Sequence, residues 1–80
     1  MSALSLRADE FDGPVAIAYR VLGLGANDSA IIRRNAISST WTVLLGEVGG
    51  ALRTAGLAFP SLGQAVSFLE EWTRTGGGER

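Results

Sequence analysis

The apolar pattern of this chain changes its period once, and that change restricts the fold more than any other feature. Val15, Ile17, Tyr19 and Val21 alternate with Ala16, Ala18, Arg20 and Leu22, which reads as a half-buried strand rich in β-branched and aromatic side chains. Beyond Pro60-Ser61, the residues Leu62, Ala65, Val66, Leu69 and Trp72 recur at helical spacing on one face. Strands first and one clear helix last describe a small α+β domain.

The segments between are read the same way. Trp41, Val43 and Leu45 alternate with Thr40, Thr42 and Leu44, a second strand, and Gly49-Gly50 supply the positive φ of a tight hairpin. The return strand is expected within 51–59. Ile31, Arg33, Asn35 and Ile37 alternate without a clean apolar face, so residues 29–37 read as strand or as a helix capped by Asn27 or Asp28, and the strand is preferred. A rival all-α bundle would run a helix through Trp41, Leu44, Leu45, Val48, Ala51, Leu52 and Ala55. It must tolerate Gly46, Gly49 and Gly50 inside that helix, each costing about 1 kcal/mol relative to alanine.

The expected architecture is an antiparallel meander of three or four strands covered by one C-terminal helix, Ser61 to Arg74. Ser61 and Gln64 form a capping box, and Glu70 stands four residues before Arg74 in the favourable order. Residues 1–12, polar and ending at Gly13-Pro14, are expected as a flexible arm, with Leu4, Leu6 and Phe11 able to dock if the segment adds a strand. The domain proper is expected over 13–75 and a glycine-rich flexible tail over 76–80.

At 80 residues, with eleven alanines and eleven glycines, the core is thin, and some apolar surface is expected to rest on another chain, in a homodimer or a hetero-complex. The first ten residues lack a basic segment followed by an apolar run, and no apolar stretch reaches a membrane span, so a cytoplasmic location is the expectation.

Composition also narrows the chemistry. Histidine, cysteine and lysine are absent, which removes the usual proton shuttles, thiolates, soft metal ligands and Schiff-base amines. Asp9, Glu10 and Asp12 are too closely spaced for a calcium loop, and the adjacent Glu70 and Glu71 point about 100° apart on a helix. No catalytic residue, cofactor or metal is assigned. The expected function is non-catalytic protein binding: an adaptor, accessory subunit or inhibitor, in the manner of compact phage or bacterial accessory proteins. Tyr19, Trp41, Phe68 and Trp72 are the candidate anchors, because aromatic side chains dominate binding hot spots.

The alternative is nucleic-acid binding through Arg20, Arg33, Arg34 and Arg53. From Trp41 onward the chain resembles the β-sheet-plus-helix domains at the N-termini of tyrosine recombinases of the arm-binding type. The residues that carry the likeness are Trp41-Thr42-Val43, Phe59-Pro60-Ser61 and Ala65-Val66-Ser67-Phe68-Leu69. The resemblance implies a DNA-binding sheet-plus-helix unit. Those domains are rich in basic residues, whereas a net charge of −1 and a pI near 5.2 supply little phosphate neutralisation here.

Overall fold

The computed structural model describes residues 4–24, 27–35 and 37–75. Five strands precede one helix: β1 (Ser5–Asp12), β2 (Val15–Leu22), β3 (Asp28–Arg34), β4 (Trp41–Glu47), β5 (Arg53–Phe59) and α1 (Leu62–Arg74). The strands lie in chain order in one antiparallel sheet. The α+β class and the covering helix are as expected, and residues 28–34, 41–47 and 53–59 form strands, not helices.

The expected arm is corrected: Ser5–Asp12 is the edge strand β1, paired with β2. Leu6 and Ala8 alternate with Ser5, Arg7 and Asp9, so the segment carries the period of a half-buried strand. Gly13-Pro14 is the turn of the first hairpin and not a domain boundary. Gly13 has φ +62°, which suits the first central position of a type II′ turn, and Pro14 presets the second. The domain therefore reaches back to β1, and the meander has five strands. The expected tail over 76–80 lies outside the described residues.

One face of the sheet carries the core. Val21, Ala30, Ile32 and Val43 from the sheet meet Ala65 and Leu69 from α1. Register explains the choice: Val21 stands opposite Ala30, Ile32 opposite Val43, and directly paired residues share a face. The helix, about 10 Å wide, packs chiefly on β4 and β5, so a sheet of five strands at about 4.8 Å spacing extends beyond it. Leu6, Ala8 and Tyr19, on that uncovered part, are consequently half-buried.

The helix begins where the sequence places it. The Ser61 hydroxyl accepts the Gln64 amide at 3.2 Å, and at the far end the Thr75 amide donates to the Glu71 carbonyl at 3.1 Å. Arg74 pairs with Glu71, one turn away, and not with Glu70 as the four-residue spacing predicts. Phe68 packs beside Phe59 with ring centroids 5.3 Å apart. It also lies against Gly56, where β5 bulges between its pairings at Ala55 and Phe59 and φ is +72°.

Gly46 is the glycine the hairpin cannot replace. A Cβ there would stand 2.6 Å from the Ala51 carbonyl oxygen, a backbone atom with no rotamer to escape into. Gly46→Ala is expected to cost about 1–3 kcal/mol, the range of overpacked sites. Urea unfolding should show a lower midpoint with an unchanged slope; an unchanged midpoint would show that the hairpin yields.

Candidate functional site

The face opposite the helix is charged and ordered by register. One cross-strand row reads Arg7, Arg20, Ile31, Leu44 and Thr54, and the next reads Glu10, Ala18, Arg33 and Thr42. In the second row Arg33 reaches over β2 to Glu10 and donates from both terminal nitrogens, each at 3.1 Å from its own carboxylate oxygen. Strands β1 and β3 are about 9.5 Å apart, so the pair can close only over a small residue. That residue is Ala18. It is 2% exposed although it faces away from the core, because the ion pair lies across it. In the first row Arg7 faces Arg20 directly, and the Asp9 carboxylate approaches Arg20 at 3.8 Å.

The four arginines of the nucleic-acid alternative are thereby divided. Arg20 and Arg33 share the open face and are engaged by Asp9 and Glu10. Arg34 pairs in register with Trp41 and Arg53 with Leu45, which sets both on the helix side, at opposite ends of β4.

The four aromatic candidates all lie on the helix side and are all half-buried. Tyr19 and Trp41 meet across β3 at 5.9 Å, and Trp41 stands opposite Phe59, which packs on Phe68. Phe68 thus widens the buried face. Trp72 lies one turn beyond it on α1.

The most exposed apolar side chains are elsewhere. Phe11 (58% exposed) and Val15 (52%) flank the first turn, and Ile37 (97%) tops the β3–β4 loop. In an antiparallel meander these two connections lie at the same end of the sheet. The β2–β3 register begins at Ala18↔Arg33, so the tip of the first hairpin, Val15 to Ile17, projects past it. The Ile37 loop has a defined backbone: the Asn35 carboxamide oxygen accepts the amides of Ile37 (2.9 Å) and Ser38 (3.3 Å), and the Asn35 amide donates to the Thr40 carbonyl at 2.7 Å. Ile37 is held outward by an Asx turn. Exposed Val48 and Leu22 mark the opposite end.

Sequence reasoning missed this end because it took residues 1–12 for an arm. Gly13-Pro14 between two alternating segments was the available signal. Among the described residues no three His, Cys, Asp or Glu side chains gather into a metal-holding group, and no helix is long and apolar enough to cross a membrane. No family model matches the chain, and no significant match is found to a curated protein or to a solved structure.

The clamp over Ala18 is testable. A double-mutant cycle on Glu10→Ala and Arg33→Ala should give a coupling of about 0.5–1 kcal/mol at low salt, as for a well-formed exposed pair, and fall towards zero near 1 M salt. In an Ala18→Leu background the branched side chain separates the partners, and the coupling should vanish at any salt concentration.

Proposed function

We propose that this chain is a small non-catalytic protein-binding module, an adaptor, accessory subunit or inhibitor, that engages another protein through the hairpin end of its sheet. The observation that carries the reading is the placement of Phe11, Val15 and Ile37 at one end, on backbone that is hydrogen-bonded. Burying one such side chain is worth about 1.5–3 kcal/mol, and the chain's own core takes up none of Ile37. Exposed apolar side chains gathered at one end of a small domain are the kind of surface that recognition uses, here with Phe11 and Val15 on opposite faces of the hairpin, since Phe11 pairs with Ala16 and Val15 with Asp12.

The residue types fit this work. A chain limited to carboxylates, hydroxyls and arginines recognises by shape and by charge more readily than it moves protons. Binding to nucleic acid has less support, because the two arginines that share a face are already paired with carboxylates and the other two lie across the sheet.

The test is the triple variant Phe11→Ser, Val15→Thr and Ile37→Ser. Its thermal midpoint should stay within about 5 °C of the parent, since exposed substitutions change stability little. Capture of the native partner from cell extract should fall at least about tenfold, the loss of a binding hot spot. Undiminished capture by the folded variant, or salt-sensitive retardation of DNA by the parent chain, would overturn the reading.

A further inference from the structure

The outer edge of β1 carries an electrostatic mismatch that the chain does not resolve internally. Arg7 stands directly opposite Arg20, and like charges in that position destabilise a sheet. The Asp9 carboxylate, two residues along β1 from Arg7, lies 3.8 Å from Arg20. No ion pair involving Arg7 is seen among the described residues. The strand itself reads cation then anion, Arg7-Ala8-Asp9, at the middle of its length.

We propose that a second copy of this chain pairs with β1 edge to edge, antiparallel, about a two-fold axis at Ala8. Each Arg7 then stands opposite Asp9 of the other copy, and two five-stranded sheets become one. A two-fold that joins antiparallel edges runs perpendicular to the sheet, so helix-side faces stay together and only axes centred on a residue match the faces. An axis at Arg7 sets guanidinium against guanidinium. An axis at Leu6 leaves Arg7 opposite Ser5 with no carboxylate. The axis at Ala8 alone places opposite charges together, twice, on the open face where Asp9 already approaches Arg20.

The other edge does not offer the same match. β5 has Arg53 and no carboxylate, and its pairing is broken around Gly56. The ladder on β1 is short as well, because the register shifts after Ala8 and again after Glu10. The contact therefore depends more on charge than on backbone pairing, and it weakens with salt. Phe11 lies on the same strand, opposite Ser5 of the other copy in this register, but Val15 and Ile37 lie off that edge, so the charge reversals at Arg7 and Asp9 test the self-association apart from partner capture.

Charge exchange tests it on the full chain. Sedimentation equilibrium at low salt should show a monomer–dimer equilibrium that shifts to monomer as salt rises. Arg7→Asp and Asp9→Arg should each abolish the dimer. Mixed in equal amounts they should restore it, because every facing pair in the mixed dimer is again of opposite sign. Circular dichroism checks that both variants remain folded. If either does not, Ala8→Cys decides: in a chain without cysteine it should oxidise to a linked dimer, whereas Ser5→Cys should not. A parent chain that stays monomeric at millimolar concentration, a dimer indifferent to both charge reversals, or a failed Ala8→Cys link would overturn the proposal.

Discussion

Seating Ala65 and Leu69 of α1 on Ile32 and Val43 is the contact from which the remaining structure follows. All four are fully buried, in a core with few other large side chains. Because β3 and β4 pair Ile32 with Val43 and Ala30 with Leu45, the helix can find that surface on one side of the sheet only. A shift of one residue in β3 would send Ile32 to the open face, and one in β4 would send Val43 there, leaving Leu69 without half of its seat. The small side chains at Ala30 and Ala65 let the helix approach closely, which is how a chain so rich in alanine closes a core at all.

The opposite face is stabilised by different means. With the apolar set committed to the helix side, its rows are built from arginine, carboxylate, threonine and a few aliphatics, and the Arg33–Glu10 pair ties β1 to β3 over Ala18. The fastening is modest in energy, since both partners remain about half exposed. Its effect is positional: it fixes how the edge strand lies against its neighbours and which charges that edge presents. The single helix lies on β4 and β5 and leaves the first hairpin uncovered, and Phe11 and Val15 beside its turn are exposed.

Local signals were legible wherever a segment had a clean period. The helix from Leu62, its Ser61 cap, and strands β2 and β4 follow from spacing and capping alone. Segment 28–34 was harder, because its open-face side chains Ile31 and Arg33 blur the alternation. The first strand was misread because its inward apolar side chains, Leu6 and Ala8, are few and small, while Asp9, Glu10 and Asp12 around Phe11 suggest a solvated arm. Of the proposed sites, the aromatic candidates were visible as residue types. Their burial was not, since Phe68 is covered by Phe59 and Gly56 from another element.

The amino-acid sequence by itself determined the α+β class, the strands β2 and β4 with a helix after them, and the narrow chemical repertoire, because these depend on periodicity and residue type within short windows. Tertiary structure alone decided which arginines share a face, that Ala18 is closed over by an ion pair joining residues 10 and 33, and that Phe11, Val15 and Ile37 lie at the same end of the sheet. Each of those outcomes depends on strand register, and register is set when distant segments compete to bury one face against the helix.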